Sequence, residues 1–184
     1  MRVIAGIAKG FPLKGPERST TRPATDLVRG ATFSILESLA NGWTQVLDLY
    51  SGTGAMGIEA LSRGAGWVDF VDRQRRCCDI IKQNLAKTRL EEKSHVYCIE
   101  VEKAISFLDK EYDIVIMDPP YANKAIGDVI SKLAKSKLVG AETIVVVTHS
   151  PHLTLDSSYP PLTLIKERRH GDSCIALFHK EKAQ

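Results

Sequence analysis

The sequence predicts an α/β fold, with a mostly parallel sheet and helices on both faces. Short apolar runs such as QVLDLY, WVDFVD and YDIVIMD alternate with segments of helical periodicity, and this alternation is typical of βαβ units. A glycine-rich stretch follows QVLDLY, where such a fold turns from its first strand into a helix. The last two apolar runs, LTLIKERRH and SCIALFHK, are separated by a short turn at HGD, which predicts an antiparallel hairpin.

The other elements follow in order along the chain. RVIAG and FPLKG predict a short β-hairpin, and Thr25 or Asp26 caps a helix that runs to about Ala40. Further helices are predicted over AMGIEALSRG, from about Gln74 to Leu90, over EKAISFLDK and over KAIGDVISKLAKSK. HVYCIE and ETIVVVTHS complete the strands. We divide the chain into a basic N-terminal extension, residues 1–24, and a main domain, residues 25–184.

Length and composition are those of one globular domain. The chain has 184 residues, of which 43% are apolar and 26% charged. No apolar run approaches the roughly 20 residues of a membrane helix, and the N-terminus lacks a signal-peptide pattern, so we expect a cytoplasmic protein without membrane association. The four cysteines form no C-x-x-C pair, and no metal site is predicted.

Positive charge is concentrated at the amino end. The net charge is +3, and residues 1–30 alone carry +4, so the remaining residues sum to −1. This segment contains six basic residues and two acidic ones. The basic residues are Arg2, Lys9, Lys14, Arg18, Arg22 and Arg29, and the acidic residues are Glu17 and Asp26. A basic end on a nearly neutral body predicts an anionic partner that docks there, although a solvated basic face would give the same pattern.

The stretch LYSGTGAMG fits G-x-G-x-x-G, with Gly52, Gly54 and Gly57. Glycines between a strand and a helix let a ligand approach the backbone at the helix N-terminus. Asp72 ends the next predicted strand, where a carboxylate can accept hydrogen bonds from ribose hydroxyls. Asp48 precedes the loop and would repel a pyrophosphate but pair with an ammonium, which favours S-adenosylmethionine over a dinucleotide. Close packing of helix on strand without a ligand would also explain the glycines.

The stretch DPPY follows the fourth predicted strand and therefore lies at the same edge as the glycine loop. An exocyclic amine on a purine is planar and weakly nucleophilic, and two acceptors can hold its N–H groups. Asp118 supplies a carboxylate oxygen and Pro119 a carbonyl, which the fixed φ angles of Pro119 and Pro120 stiffen. Tyr121 can stack on the base. The stretch predicts methyl transfer to a flat, amine-bearing base, and whether Asp118 also takes the proton stays open.

With these motifs the chain resembles the bacterial 16S rRNA guanine-N2 methyltransferases that modify guanine 966 of the small subunit. The resemblance covers RVIAG, RPATDLVRGATFSIL, LDLYSGTGAMGIEALSRGA, FVD, DPPY and RHGDSCIALF. It implies a class I methyltransferase with a seven-stranded, Rossmann-like sheet, a C-terminal antiparallel hairpin and a short N-terminal extension. It also implies S-adenosylmethionine as cofactor and 16S rRNA as partner, in an assembled or partly assembled small subunit, with the protein acting as a monomer.

The resemblance, taken with the motifs, assigns residues to three roles. The predicted cofactor-binding residues are Asp48, Tyr50, Ser51, Gly52, Gly54, Asp72, Arg73, Glu102, Lys103 and Asp118. The predicted catalytic residues are Asp118, Pro119, Pro120 and Tyr121. The predicted RNA-binding residues are Arg2, Lys9, Arg22, Thr25, Asp26 and Arg29. Two arginines around a helix N-terminus can form a phosphate clamp.

The chain departs from the family pattern at several positions. Leu27 stands where arginine is favoured, and Gly30 stands where glutamate is favoured. Lys103 stands where an acidic or amide residue near the adenine is usual, and His170 where an aromatic residue is common. His149, at the end of the fifth predicted strand, is a candidate for contact with the substrate.

Three other functions share some of these features. A DNA adenine-N6 methyltransferase also uses DPPY, but 184 residues leave no room for the target-recognition domain that such enzymes usually need. An RNA-binding assembly factor with a relict cofactor fold would bind RNA through residues 1–30 without binding a methyl donor. A nicotinamide dehydrogenase is disfavoured because no acid or base for hydride transfer accompanies the loop.

Overall fold

The computed structural model describes residues 1–15, 26–40, 42–120 and 125–180. The helices are α1 (Asp26–Leu39), α2 (Ala55–Ser62), α3 (Arg75–Thr88), α4 (Val101–Phe107) and α5 (Ile126–Ala134). The strands are β1 (Gln45–Leu49), β2 (Trp67–Val71), β3 (Ser94–Tyr97), β4 (Tyr112–Met117), β5 (Val139–His149), β6 (Ser158–Tyr159), β7 (Leu162–His170) and β8 (Ser173–Lys180). Within these ranges, no helix combines the length and the apolar character needed to cross a membrane.

The strands form one sheet in the order β3-β2-β1-β4-β5-β8-β7-β6. The first five of these are parallel, and the last three continue the sheet in antiparallel pairs. The predicted fold class is confirmed, with one addition: β6 is a two-residue edge strand beyond the seven that were expected. The chain order reverses between β1 and β4, and such switch points are where α/β sheets bind ligands.

Two hydrophobic cores hold the sheet from both faces. The first lies under α1, α2 and α3 and includes Ile114 and Ile116 of β4, whereas the second lies under α4 and α5 and includes Val115 and Met117. Successive residues of a strand point to opposite faces, which explains the alternation. All four side chains are at most 1% exposed, and burial of each contributes roughly 1.5–3 kcal/mol. The central strands that carry the site are therefore rigidly placed.

Residues 1–15 pack against the first core. Arg2 and Pro12 form an antiparallel bridge, and the amide of Val3 donates to the carbonyl of Phe11 over 3.0 Å. These contacts confirm the predicted hairpin. Three of its side chains are buried in the core: Val3, Ala8 and Leu13. The domain boundary between residues 24 and 25 falls outside the described residues and stays a prediction.

The hairpin is also fastened to α2 by hydrogen bonds. The carboxylate of Glu59 accepts the backbone amides of Ile4 and Ala5 over 2.8 and 3.0 Å. Gly6 follows with a positive φ of 80°, and a Cβ atom there would lie 1.7 Å from the carbonyl oxygen of Ser62. Only glycine permits this approach of the hairpin to the end of α2.

Asn84 of α3 connects the end of the hairpin segment to the loop after β1. Its side-chain oxygen accepts the amide of Lys14 over 2.7 Å. Its side-chain nitrogen donates to the carbonyls of Lys14 and Thr53 over 3.1 and 2.9 Å. Because Asn84 is only 1% exposed, burial requires that its amide be satisfied in this way.

The ends of the parallel strands form one edge of the sheet, which we call the carboxyl edge. The loop after β1, residues 118–120 after β4 and the end of β5 all lie there. Since β8 is antiparallel to β5, it begins where β5 ends, and Cys174 pairs with His149. The turn between β7 and β8 therefore lies at the carboxyl edge as well.

Candidate active site

The glycine loop, residues 50–57, joins β1 to α2 at the carboxyl edge. Gly54 has a left-handed φ of 76°, and its amide donates to the carbonyl of Ser51 over 2.7 Å. At Gly57 a Cβ atom would lie 2.3 Å from a ring carbon of Phe70, so glycine allows α2 to pack closely on β2. The loop thus combines the tight turn and the close packing that its glycine spacing predicts.

Asp48 lies in β1 beneath this loop. Its Oδ2 accepts the amide of Gly57 over 2.9 Å, whereas Oδ1 is buried without a hydrogen-bond partner among the described residues. Burial raises the pKa of Asp48 to about 8; the Gly57 hydrogen bond lowers it, and the charges of Asp118 and Asp72 raise it further. A buried carboxylate with an unsatisfied oxygen favours a cationic partner. A ligand ammonium therefore fits this position, and a pyrophosphate does not.

Two polar side chains connect the loop to β2. The hydroxyl of Ser51 accepts the amide of Val71 over 2.9 Å, and the backbone amide of Ser51 donates to the carbonyl of Val71 over 3.0 Å, so Ser51 fixes the shape of the loop. The carboxylate of Asp72 accepts the amides of Gly52 and Gln74, each over 2.9 Å. An ionised carboxylate has further lone pairs, and Asp72 remains 9% exposed. It is therefore oriented and still able to accept a ribose hydroxyl.

The residues predicted to contact the remainder of the cofactor lie beyond the ends of β2 and β3. The guanidinium of Arg73 lies 3.7 Å from the carboxylate of Glu100, and both side chains are more than half exposed. Glu102 and Lys103 are exposed in the first turn of α4. Tyr50 is half-buried and begins the glycine loop with a φ of 59°. Glu100, which pairs with Arg73, was not predicted, because no motif surrounds it.

Asp118 directly follows β4 and is held by a residue that was not predicted. The hydroxyl of Thr148, in β5, donates a hydrogen bond to Oδ1 of Asp118. Thr148 is fully buried. A threonine inside the apolar run IVVVTH was the available signal, since a buried hydroxyl requires a partner. Pro119 is buried and Pro120 exposed, whereas Tyr121 lies outside the described residues.

His149 points to the face of β5 opposite Thr148, because side chains alternate along a strand. It is 2% exposed, and its Nε2 lies 3.0 Å from Oε1 of Glu167. Its Nδ1 lies 3.0 Å from the carbonyl oxygen of Ser150. The expected contact with substrate does not fit this position, where the imidazole connects β5 to β7.

Arg29 is buried, and Nη2 is the guanidinium nitrogen that has hydrogen-bond partners among the described residues, whereas Nε and Nη1 have none. Its side chain is fully buried, and Nη2 donates to the carbonyl of Arg2 and, over 2.9 Å, to Asp26. Its Nε lies 3.6 Å from the carboxylate of Glu59. A direct phosphate contact by Arg29 does not fit this position, because its guanidinium faces away from solvent and joins α1, α2 and the hairpin.

The other predicted RNA-binding residues are not gathered into one patch by the described structure. Arg2 and Lys9 are both exposed. Lys9 lies in the hairpin turn that packs on Ser62, the last residue of α2, and this end of α2 leads into the start of β2. Lys9 is therefore at the edge of the sheet opposite the carboxyl edge. Arg22 and Thr25 lie outside the described residues.

A cleft of about 650 Å³ between α4 and α5 is separate from this site. Its lining includes the segments that lead from these helices into β4 and β5: Phe107, Leu108, Asp109, Lys135, Ser136 and Lys137. These segments lie at the amino ends of the two strands. The cleft is thus opposite the carboxyl edge and takes no part in the chemistry of Asp48 and Asp118.

This sheet order, with a glycine loop after β1 and acids at the ends of β2 and β4, defines a class I methyltransferase. The solved structure described as "Putative methyltransferase yhhF from Escherichia coli" shares the fold, with a TM-score of 0.84, 26% identity and 98% of each chain covered. More particularly, the chain belongs to the family described as "Conserved hypothetical protein 95", which matches residues 1–179.

Two relatives extend over nearly the whole chain. "Putative rRNA methyltransferase YlbH" of Bacillus subtilis is 30% identical over 183 residues, which cover 98% of this chain and 99% of that protein. "Ribosomal RNA small subunit methyltransferase D" of Escherichia coli is 28% identical over 184 residues, which cover 98% of this chain and 90% of that protein. Fold, site and relatives together make the chain a methyltransferase.

Proposed function

We propose that this methyltransferase transfers a methyl group from S-adenosylmethionine to the exocyclic N2 of a specific guanine in 16S rRNA of the small ribosomal subunit. The observation that carries the proposal is the meeting of two carboxylates at the switch point of the sheet. Asp48 belongs to β1 and Asp118 follows the paired β4, and the charge of Asp118 acts on Asp48. One carboxylate suits a donor ammonium, and the other suits an acceptor amine.

The residues around the glycine loop fit the donor. S-adenosylmethionine supplies a methyl group that is already activated when it is bound. The unpartnered Oδ1 of Asp48 would pair with its ammonium, and Asp72 would accept its ribose hydroxyls. Glycines 52 and 54 allow the ligand to lie against the loop backbone. Arg73, Glu102 and Lys103 remain predictions for the adenine end.

The DPPY stretch fits the acceptor. Asp118 and the carbonyl of Pro119 would accept the two N–H groups of the guanine N2, and Tyr121 would stack on the base. The hydroxyl of Thr148 restricts rotation of the Asp118 carboxylate. Positioning contributes much of the rate when one reactant is already activated. The new nitrogen–carbon bond would replace the bond from sulfur to the methyl group in the donor, and the carboxylate of Asp118 would stabilise the positive charge on the nitrogen until it loses a proton.

The relatives named as rRNA methyltransferases support RNA as the substrate. A nearly neutral body with a basic amino end suits a large structured polyanion better than a free nucleoside. We expect the protein to act in the cytoplasm, as a monomer, on an assembled or partly assembled small subunit.

The test is transfer of a labelled methyl group to small subunits that lack the modification, followed by mapping of the methylated nucleotide. Naked 16S rRNA and double-stranded DNA serve as alternative substrates. Methylation of DNA alone would instead identify a DNA adenine methyltransferase. RNA binding without any donor binding by calorimetry would identify a non-catalytic assembly factor.

Asp118→Ala should abolish transfer and leave donor binding within a few-fold of wild type, because Asp118 faces the acceptor. Asp128→Ala removes an exposed carboxylate from the first turn of α5 and is the matched control, which should transfer normally. If Asp118→Ala lost donor binding and transfer to the same degree, the acceptor role of Asp118 would be contradicted.

A further inference from the structure

The end of β7 lies in the same cross-strand row as Asp118. Thr148, which holds Asp118, pairs with Ile175 of β8, and Ile175 pairs with Arg168 of β7. Paired residues on neighbouring strands point to the same face of a sheet. The row runs across four adjacent strands, and their spacing places the Cα of Arg168 about 14 Å from that of Asp118.

This face of β7 is basic. Lys166 and His170 alternate with Arg168, so the three side chains share the face of Asp118. Arg168 is exposed, and the other two are half-buried. Among the described residues, no hydrogen bond or ion pair occupies the Arg168 guanidinium. We call Lys166, Arg168 and His170 the β7 basic strip.

The opposite face of β7 is different in charge and in contacts. Glu167 and Arg169 point there, one acid beside one base. Glu167 contacts Nε2 of His149 over 3.0 Å, and Nε of Arg169 donates to the carbonyl of Gly171 over 3.1 Å. The two faces of this strand segment can therefore be compared directly. One face concentrates positive charge near Asp118, and the other carries one positive and one negative side chain.

We propose that the β7 basic strip binds phosphate groups of the RNA strand that carries the target base, an inference that rests on the proposed function. A guanidinium matches a phosphate with two parallel hydrogen bonds. Such contacts fix the register of the nucleic acid without reading its sequence. An RNA strand whose base reaches Asp118 would extend its backbone past β5 and β8 to the strip.

The strip lies near the carboxyl edge, as Asp118 does, whereas Lys9 of the amino-terminal hairpin lies at the opposite edge of the sheet. Phosphate contacts at the strip would therefore position the acceptor from the β7 side of the site, by its backbone as well as by its base.

The experiment compares Arg168→Ala with Arg169→Ala, which remove the same charge from adjacent residues on opposite faces. Equilibrium binding of small subunits lacking the modification should weaken roughly tenfold in Arg168→Ala, in keeping with loss of a charge-assisted hydrogen bond. It should change by less than about twofold in Arg169→Ala, which removes no proposed phosphate contact. The slope of log affinity against log salt should fall by about 0.7–0.9 in Arg168→Ala alone.

Donor binding and the Tm should match wild type in both variants, because both side chains are exposed. Equal weakening in the two variants would show a general charge effect and overturn the proposal, as would unchanged binding in both. The assay measures binding, so it does not depend on methyl transfer. If wild type transferred no methyl group but Arg168→Ala alone weakened subunit binding, the proposed reaction would be refuted and the role of the strip would stand. If wild type transferred normally but the two variants bound subunits equally well, only the role of the strip would be refuted.

Discussion

Replacement of Asp48 by asparagine would test the donor site. The Asp48→Asn side chain would keep an acceptor oxygen for the amide of Gly57 and nearly the same volume, but it would carry no charge. The pKa of Asp48 in the free protein is about 8, so at pH 6 only about 1% of the carboxyl groups are ionised. A ligand ammonium that requires the ionised form should bind roughly 25-fold more weakly at pH 6 than at pH 8, because the ionised fraction of the carboxyl falls about 50-fold while the charged fraction of the ligand amine about doubles.

Calorimetry with S-adenosylhomocysteine at pH 6, 7 and 8 measures this effect, since the product retains the ammonium and is not consumed. The amino group of the ligand itself loses its proton at about pH 8, so wild-type affinity should be greatest near that pH. Asp48→Asn should bind weakly throughout, with no further loss between pH 8 and pH 6. Wild-type affinity in the variant, or a flat wild-type profile, would refute the ammonium contact.

The same substitution should stabilise the fold at neutral pH. The pKa of the Asp48 carboxyl is 3.8 in the unfolded chain and is raised to about 8 in the folded protein. Its contribution to folding stability is therefore complete below pH 3.8 and is lost as the pH rises toward about 8. At roughly 1.4 kcal/mol per pH unit, the loss at pH 7 is on the order of 4 kcal/mol. Asp48→Asn has no such loss, because its side chain does not ionise. Urea titration should therefore give a higher free energy of unfolding for the variant than for wild type at pH 7, but not near pH 4. An equal difference at both pH values would contradict the titration.

Substitutions at Thr148, Gly57 and Gly30 test the support of Asp118 and the packing of two helices. Thr148→Val should lower kcat by about 10- to 100-fold without changing donor affinity, because a hydrogen bond to a charged group contributes about 1.5–3 kcal/mol. Thr148→Ser should retain most activity, and an equal loss in both variants would indicate packing instead. Gly57→Ala should lower the free energy of unfolding by about 1–3 kcal/mol, because its methyl group would lie 2.3 Å from Phe70. Gly30→Ala, in α1 with its nearest neighbour 3.9 Å away, should raise it by up to about 1 kcal/mol in the same denaturant titration.

Residues at the ends of parallel strands were predictable, because the fold brings those ends together. Asp48, Asp72 and Asp118 lie far apart in the sequence, yet each lies in or directly after a parallel strand near the carboxyl edge. The alternation of strands and helices is enough to place them near one another, and the glycine spacing identifies the first loop. This is why a sequence pattern could anticipate both the fold and the placement of these three carboxylates near one edge of the sheet.

Residues defined by a tertiary partner were not predictable in this way. Arg29 contributes to the positive charge of the amino end and arginine is usually exposed, but Glu59 on another helix allows it to be buried. Thr148 looks like one more β-branched residue of a strand until Asp118 is placed beside it. Strand β6 has only two residues, too few to show any periodicity.

Asn84 gives the amino-terminal segment and the glycine loop a shared support. Its one amide group binds the backbone of Lys14 on one side and of Thr53 on the other. A single side chain, that of Asn84, therefore links the end of the amino-terminal segment to the loop that we propose holds the donor. Any substitution that removes this amide would loosen two parts of the protein at once, so its effect on RNA and its effect on the donor could not be separated by that variant alone.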